Sequence, residues 1–284
     1  MSSVARDSGG GGRGASSSNK PRNLPAALPR SSVARKHVHL VYDEIANHFH
    51  KTRVWMWPKV IEFIESLPAQ STVLDVGCGN GRNTSMRPND LFYVGLDISS
   101  QLLRKVVGRG VCSVAAGQEH LPFRSNSFDA IMSIAVVHHI VDTSGRETAM
   151  SEIERCLAPG GTALVYVWIK EQKKFAHLGQ DVLIPWQLQK KHAASEQPKS
   201  NTEEDYVPSQ TLKRKRDVSA DDAGEGRNPI KKTLWRYYHL FEKGELEQLF
   251  KNTGSLTIIE SGKQYNNWYV IVKKAGESTA QGVS

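Results

Sequence analysis

The sequence is poor in cysteine and contains no long apolar run, and both absences restrict the kind of protein it encodes. Its three cysteines, Cys78, Cys112 and Cys156, are widely spaced and odd in number. This is neither a disulfide framework nor a zinc site, and it is typical of a reducing compartment. No stretch is long and apolar enough to cross a bilayer, and the polar start does not resemble a secretory signal. We therefore expect a cytoplasmic location, with the nucleus as a second one.

Acidic residues are scarce at the N-terminus, where most of the net charge of +8 is found. Residues 1–36 contain seven Lys or Arg and one acid, Asp7, and so carry +6 of that charge. The rest of the chain is close to neutral, which excludes a uniformly basic surface for nucleic acid. Any contact with RNA must come from a local patch or from this basic tail.

Two polar segments divide the chain. Residues 1–35 are rich in Gly, Ser, Pro and Arg, and residues 189–228 lack apolar periodicity. Neither can bury enough apolar surface to fold, which predicts a disordered tail and a disordered insertion. The run Lys213–Arg216 inside the insertion is either a nuclear-import signal or a solvated group of charges. A single folded domain is then expected in two parts, 36–188 and 229–274, followed by a disordered tail at 275–284.

Between the polar segments, short apolar strands alternate with helical patterns. The strands are predicted at Thr72–Val76, Phe92–Leu96, Val111–Ala115, Phe128–Ile134 and Thr162–Trp168. Helices are predicted near Ser99–Val107 and Arg146–Leu157. This alternation indicates a Rossmann-like, doubly wound α/β fold with a mostly parallel sheet.

The pattern changes after the insertion. A helix is predicted near Lys243–Phe250, and strands are predicted at Leu256–Ser261 and Trp268–Lys273. A short Gly- and Asn-containing stretch separates these two strands, so they favour an antiparallel pair at one edge. The complete sheet would then have seven strands.

The first predicted strand runs into the turn Asp75-Val-Gly-Cys-Gly-Asn-Gly81, which has glycine at alternate positions. Glycines let the backbone turn sharply and approach a ligand closely. Dinucleotide-binding turns follow Gly-x-Gly-x-x-Gly without an acid two residues earlier, so Asp75 distinguishes this turn. Asp97 ends the next strand, where a carboxylate can accept both hydroxyls of a ribose.

Over about Val73 to Trp168 and the closing strands, the chain resembles the class I S-adenosylmethionine-dependent methyltransferases. Leu121-Pro-Phe123 and Ser127-Phe-Asp129 also match that superfamily. The resemblance implies that the glycine turn faces the methionine part of the cofactor. Gly117 or Gln118 stands where the family usually has an Asp beside the adenine, so recognition of the adenine is expected to depend on Gln118, Glu119 or backbone groups. The predicted cofactor-binding residues are Asp75, Gly77, Cys78, Gly79, Gly81, Asp97, Ile98, Gln118, Glu119 and Ile134.

Further segments narrow the resemblance. They are Tyr42–His50, Thr52-Arg53, Trp57-Pro58, Ser133–Ile140, Tyr166–Trp168, Gln180–Trp186 and Arg236–Phe241. Together they resemble the eukaryotic tRNA wobble-uridine carboxymethyl methyltransferases, which include stand-alone enzymes and enzymes fused to an AlkB-type oxygenase. This implies that the substrate is the tRNA anticodon loop and that the product is the methyl ester of carboxymethyluridine. It also implies a small zinc-ribbon activator protein along a sheet edge that needs cover.

A carboxylate acceptor is already ionised, so the reaction needs alignment and desolvation rather than a general base. Cationic or donor side chains should hold the acceptor, and the candidates are Arg53, His138 and His139. Aromatic side chains can stack an unpaired base, although each candidate could equally belong to the core. These candidates are Trp57, Trp168, Trp186 and Tyr237. Residues on both sides of the insertion, namely Asp181, Trp186, Arg236 and His239, are expected to form a lid over the site.

Two other functions remain open. The changed residues beside the adenine favour a cofactor-binding or interaction module with little catalytic activity. A small-molecule methyltransferase would be indifferent to RNA, whereas a tRNA enzyme should bind tRNA in a salt-sensitive way. No metal ligand set is expected.

Overall fold

The computed structural model describes residues 19–52, 55–106, 111–189 and 230–276. In chain order the strands are β1 (Arg22–Asn23), β2 (Thr72–Val76), β3 (Phe92–Asp97), β4 (Cys112–Ala115), β5 (Phe128–Ile134), β6 (Leu157–Trp168), β7 (Asp181–Gln189), β8 (Ile230–His239), β9 (Leu256–Gln264) and β10 (Asn267–Lys274). The helices are α1 (Arg30–Ala34), α2 (Leu40–Thr52), α3 (Pro58–Ser66), α4 (Ser100–Leu103), α5 (Thr143–Cys156) and α6 (Glu245–Leu249). A π-helical turn, Arg35–His39, joins α1 to α2. Almost all of the predicted insertion, with Lys213–Arg216, lies outside the described residues, and so does Arg53.

Seven strands form the central sheet in the order β4-β3-β2-β5-β6-β10-β9. The strands from β4 to β6 pair in parallel, and β10 is antiparallel to both of its neighbours. This confirms the predicted fold class, including the antiparallel pair at one edge. The carboxyl ends of the parallel strands meet at a single edge of the sheet, which is where ligands bind in open α/β folds.

Helices cover both faces of this sheet. On β2, Leu74 packs in the cluster that contains Met150 of α5 and Leu246 of α6. The neighbouring Val73 points to the other face, where it belongs to the cluster of Ile64 of α3. This alternation follows from the period of two in a strand. Among the described residues, no helix is both long enough and apolar enough to span a membrane.

Several boundaries differ from the prediction. The helix expected at Ser99–Val107 is short, Ser100–Leu103, and strand β6 begins at Leu157 rather than at Thr162. Helix α5 begins at Thr143 because the side chain of Asp142 caps it by accepting a hydrogen bond from the backbone N–H of Gly145 at 2.7 Å.

A second sheet, of order β1-β7-β8, was not predicted. Strands β7 and β8 pair antiparallel on the two sides of the insertion, with Asp181 opposite His239. Their pattern was hidden because successive residues Val182, Leu183 and Ile184 are all buried, which removes the alternation of a half-exposed strand. Pro185 also argues against a strand when it is read from sequence alone.

The described structure includes residues that precede the predicted boundary at residue 36. Val33 of α1 is 1% exposed and packs with Leu183 and Tyr237. The apolar residues among the prolines and arginines of this segment are few, but they are enough to fix it against the second sheet.

Candidate active site

A cavity of about 700 Å³ lies at the carboxyl ends of β2, β3, β5 and β6. It is lined by these predicted site residues: Trp57, Gly77, Gly79, Asp97, Ile98, Gln118, Glu119, Ile134, His138, His139, Trp168 and Arg236. Other predicted site residues lie outside its lining: Asp75, Cys78, Gly81, Asp181, Trp186, Tyr237 and His239. The fold therefore gathers most of the candidates around one hollow.

Gly77 has no room for a side chain. Its φ is +69°, and an added Cβ would lie 2.2 Å from Cγ2 of Val136. Gly79 also has a positive φ, +58°, and its added Cβ would stand 3.4 Å from Phe49. Bare backbone is therefore required where the turn meets the cavity.

Cys78 faces away from the cavity. Its sulfur packs so close to Gly95 that a Cβ there would lie 2.9 Å from it. Burial raises the pKa of the Cys78 thiol, which keeps it protonated. This residue has a packing role in the turn.

The carboxylate of Asp97 joins the glycine turn to the end of β3. Its Oδ2 accepts from the backbone N–H of Gly79 at 2.9 Å, and its Oδ1 accepts from that of Ser99 at 2.8 Å. Burial raises the pKa of Asp97 to about 6, against the effect of these hydrogen bonds. The side chain still lines the cavity, at the position predicted for a ribose contact.

Asp75 is buried next to the turn. Its Oδ2 accepts from Nδ2 of Asn83 at 3.4 Å, and Oδ1 has no partner among the residues that the structure describes. Burial raises the pKa of Asp75 to about 7. Its role in holding the methionine part of a cofactor stays a prediction.

Gln118 carries an unused donor. Its Oε1 accepts from the hydroxyl of Ser133 at 2.8 Å, while its buried Nε2 has no partner within the described ranges. Glu119 beside it also lines the cavity, and burial raises the pKa of its carboxyl. An unsatisfied buried N–H is costly, so this position suits the acceptor nitrogen of an adenine. The bare backbone of the glycine turn, Asp97 and Gln118 together fit S-adenosylmethionine.

A chain of hydrogen bonds crosses the opposite side of the cavity. The ring of His139 donates through Nδ1 to the carbonyl of Tyr237 at 2.7 Å, because a carbonyl only accepts. Its Nε2 then accepts from the hydroxyl of Tyr42 at 2.8 Å. The hydroxyls of Tyr42 and Tyr238 are 3.4 Å apart, and Nη1 of Arg236 donates to the latter at 2.6 Å. Both nitrogens of His139 are therefore occupied by the protein.

His138 is oriented by the backbone. The N–H of Trp168 donates to its Nδ1 at 3.2 Å, which leaves Nε2 as the donor of the neutral ring. Burial lowers the pKa of His138 well below 6.5 and that of His139 to about 3. Both rings are therefore neutral at physiological pH, so of the two roles predicted for them, cation or donor, only the donor role is left, and Nε2 of His138 can fill it.

Arg236 places a buried positive charge at the cavity. Its side chain is 4% exposed, and the guanidinium carbon lies 4.5 Å from the ring centroid of Trp186 and 5.1 Å from that of Tyr238. No carboxylate in the described part of the chain forms an ion pair with it. Its Nε also lacks a hydrogen-bond partner there.

Aromatic rings line two sides of the cavity. Trp57 packs on Tyr166 with ring centroids 5.0 Å apart, and Trp168 stacks on Tyr238 at 4.6 Å. Trp55 also lines the cavity and is 89% exposed, but it was not among the sequence candidates. Its position between Thr52-Arg53 and Trp57 was the available signal.

Three predicted substrate residues on strands β7 and β8 instead form a hydrogen-bonded network with one another. Asp181 accepts from the hydroxyl of Tyr237 at 2.6 Å and contacts Nδ1 of His239 at 2.9 Å. The other ring nitrogen of His239 is 2.6 Å from Glu245. These side chains are occupied with one another and lie outside the lining of the cavity, which argues against a direct contact with substrate, and the lid stays a prediction. No group of three His, Cys, Asp or Glu in the described ranges is arranged to hold a metal.

Residues 74–165 match the family model of a methyltransferase domain. A tRNA (carboxymethyluridine(34)-5-O)-methyltransferase of Schizosaccharomyces pombe is 38% identical over 245 residues, which cover 84% of this chain and 96% of that one. The Saccharomyces cerevisiae protein of the same name is 32% identical, with the same two coverages. The chain belongs to this family. It is an S-adenosylmethionine-dependent methyltransferase.

Some relatives are much longer than this chain. A Mus musculus protein that also carries this activity in its name is 32% identical, and the match covers 88% of this chain but only 46% of that one. Among solved structures, the DhpI–SAH complex has a TM-score of 0.56 at 15% identity, covering 86% of this chain and 98% of that one. A methyltransferase from Clostridium acetobutylicum has a TM-score of 0.55 at 15% identity, covering 83% and 100%. At such low identity, these similarities show the fold alone.

Proposed function

We propose that this enzyme methylates the carboxylate of carboxymethyluridine at the wobble position of tRNA, forming the methyl ester. The observation that carries the proposal is Arg236, a buried cation in the lining of the cavity that forms no ion pair with any acid in the described part of the chain. Membership of the family indicates which nucleoside is the substrate, and Arg236 gives the chemical reason for an anionic acceptor.

A buried charge without a partner is unfavourable, and proteins keep one only where something compensates it. A carboxylate that enters the cavity would pair with the guanidinium, which presents a planar fork suited to that group. A neutral acceptor would leave the charge uncompensated. The site therefore favours an acid as acceptor.

The remaining groups orient the acceptor and exclude water. His138 can donate from Nε2 to an oxygen of the acceptor, whereas the hydroxyl of Tyr238 is already engaged with Arg236 and Tyr42. No general base is needed because the acceptor is ionised, which agrees with the neutral state of both histidines. S-adenosylmethionine, held by the glycine turn, Asp97 and Gln118, supplies an electrophilic methyl group. Arg53 stays a predicted acceptor contact and lies outside the described residues.

The test is methyl transfer to tRNA that carries carboxymethyluridine, with radiolabelled methyl donor. We expect label in the wobble nucleoside by mass spectrometry, and we expect mild alkali to release it as methanol because the product is an ester. Label that resists alkali would refute the carboxylate acceptor. Label confined to the low-molecular-weight fraction would favour a small-molecule methyltransferase, and bound donor without transfer would favour an inactive module.

We also propose that a small zinc-ribbon activator protein covers the outer edge of β4. This strand pairs only with β3 in the described sheet, and it exposes Cys112 and Ala115. An open strand edge offers unpaired backbone groups to a partner. Hydrogen exchange at the β4 amides should slow when the activator is added, while the other outer strand, β9, serves as the internal control. Unchanged exchange in β4 would contradict this proposal.

A further inference from the structure

The chain from residue 19 to residue 39, here named the basic strap, has an unusual charge composition. It contains Lys20, Arg22, Arg30, Arg35 and Lys36, and it contains no Asp or Glu. The first acids that follow it are engaged elsewhere. Asp43 accepts from the hydroxyl of Ser99 at 2.6 Å, and Glu44 pairs with Lys232 at 2.7 Å.

The basic strap is fixed to the body of the protein. Strand β1 pairs with β7, and the backbone N–H of Leu24 donates to the carbonyl of Asp181 at 2.9 Å. The ring of His37 is hydrogen-bonded to the carbonyl of Trp235 at 2.8 Å, and Val33 is buried. Its charges are therefore held in place rather than spread over a mobile chain.

The basic strap also forms a wall of the active-site cavity. Arg30, Ser31, Ala34, Val38 and His39 all contribute to the lining. A nucleoside bound in the cavity would therefore lie beside this segment. The sugar-phosphate chain on either side of that nucleoside would then lie outside the mouth, close to the exposed charges.

Most of those charges are available for a ligand. Of the five cationic side chains, only Arg30 forms an ion pair in the described part of the chain, with Asp181 at 3.7 Å. Arg22 lies over the ring of Trp235 at 4.0 Å, which leaves its positive charge uncompensated. Arg35 and Lys36 are exposed at the π-helical turn.

We propose that the basic strap is the surface that binds the phosphate backbone of the tRNA beside the methylated nucleoside. This inference rests on the proposed function and adds the place where the polyanion is held. Fixed cations without acids, next to the mouth of a nucleoside cavity, match a ligand with one negative charge per nucleotide. The near-neutral charge of the remaining chain makes this patch the main source of electrostatic attraction.

The experiment measures the dissociation constant for tRNA as a function of KCl concentration. The test variant is Arg35→Gln with Lys36→Gln, since both side chains are exposed and neither lines the cavity. The matched control is Lys251→Gln with Lys273→Gln, two exposed lysines of which Lys273 lies opposite Thr162, far from the carboxyl end of β6. The charge-preserving variant Arg35→Lys with Lys36→Arg separates charge from shape.

We expect the test variant to lower the slope of log affinity against log salt by about 1 for each phosphate that the protein no longer binds. The control and the charge-preserving variant should keep the wild-type slope, and all should bind S-adenosylmethionine equally. An unchanged slope in the test variant, or an equal change in the control, would overturn the proposal. The proposal would also be overturned if the test variant lost affinity for phosphatidylserine vesicles while its binding of tRNA was unaffected. Methyl transfer by the wild-type enzyme is followed on the same tRNA, so failure of the proposed function is distinguished from failure of this docking surface.

Discussion

Arg236 lies buried against the face of Trp186, with the guanidinium carbon 4.5 Å from the ring centroid. The indole restricts one side of the cation, and Tyr238 accepts one of its N–H groups at 2.6 Å. The stacking holds the charge in place without neutralising it. This explains how a cation can be kept ready at the cavity for an acidic acceptor.

Replacing Arg236 by Met should separate stability from activity. Arg236 has no acid partner among the residues that the structure describes, so removing its buried charge should cost little or raise the melting temperature, because the apolar replacement needs no compensation. Without its cationic partner the acceptor carboxylate is held more weakly, which should lower kcat/KM for tRNA about 100-fold, the equivalent of about 2.7 kcal/mol. Thermal unfolding and steady-state kinetics measure the two effects.

Arg236→Lys is the matched variant. It keeps the charge but loses the planar fork and the stacking, so the loss of kcat/KM should be smaller, about tenfold. The affinity for S-adenosylmethionine should be unchanged in both variants. A parallel loss of cofactor affinity would contradict the assignment of Arg236 to the acceptor.

Gly77→Ala should destabilise the protein and weaken cofactor binding. The substitution adds backbone strain at a φ of +69°, on the order of 1–3 kcal/mol. It also forces a Cβ against Val136, which adds a similar cost from overpacking. Urea unfolding and calorimetric titration with S-adenosylmethionine measure the two consequences.

Gly160→Ala is the control for the backbone strain that alanine causes at a positive φ. Gly160 has a φ of +79°, but an added Cβ there meets no atom within 4 Å. It should show the strain without the overpacking and leave cofactor binding intact. Equal destabilisation in the two variants would mean that the contact with Val136 contributes nothing.

The half of the site that binds the methyl donor could be predicted from the sequence because its parts lie close together along the chain. The strand Thr72–Val76, the glycine turn and Asp97 follow one another along the chain, and parallel strands necessarily bring their carboxyl ends together. The acceptor half depends on β8, whose pairing partner lies on the far side of the insertion. The tautomer of His139 is set by the carbonyl of Tyr237, and no local pattern indicates such a contact.

Gln118→Glu should weaken the binding of S-adenosylmethionine. The substitution preserves the size of the side chain but replaces its unused buried N–H donor with an acceptor. An acceptor nitrogen of the adenine would then lose its partner, at a cost of about 1–3 kcal/mol, or roughly 5- to 150-fold in affinity. Calorimetric titration measures it, and Gln187→Glu on the exposed side of β7 is the control. Tighter binding by Gln118→Glu would mean that the cofactor presents a donor at this position.

The cluster of Asp181, His239 and Glu245 should make the stability of the fold depend on pH. Burial by itself lowers the pKa of His239, but hydrogen bonds to both carboxylates outweigh it and raise the pKa above 6.5. The pKa values of Asp181 and Glu245 are lowered in turn, although burial opposes this. The surrounding groups are Arg146, which opposes the protonation of His239, Arg30, which pairs with Asp181, and Tyr237, which donates to Asp181.

The signs of these shifts define one pH window. A raised histidine pKa stabilises the fold fully below about 6.5, and this contribution is lost as the pH rises through the folded-state value. Lowered carboxylate pKa values stabilise the fold above about 4.5, and that contribution is lost as the pH falls. The cluster should therefore stabilise the protein most between about pH 5 and 6.5.

His239→Gln should lower the melting temperature by about 2–4 °C more at pH 5.5 than at pH 8.5, the equivalent of roughly 1 kcal/mol. His177→Gln, on an exposed side chain, should show no such difference. If His239→Gln cost the same at both pH values, the bridge would hold through neutral hydrogen bonds, and the imidazolium would have no part in fastening β8 to α6.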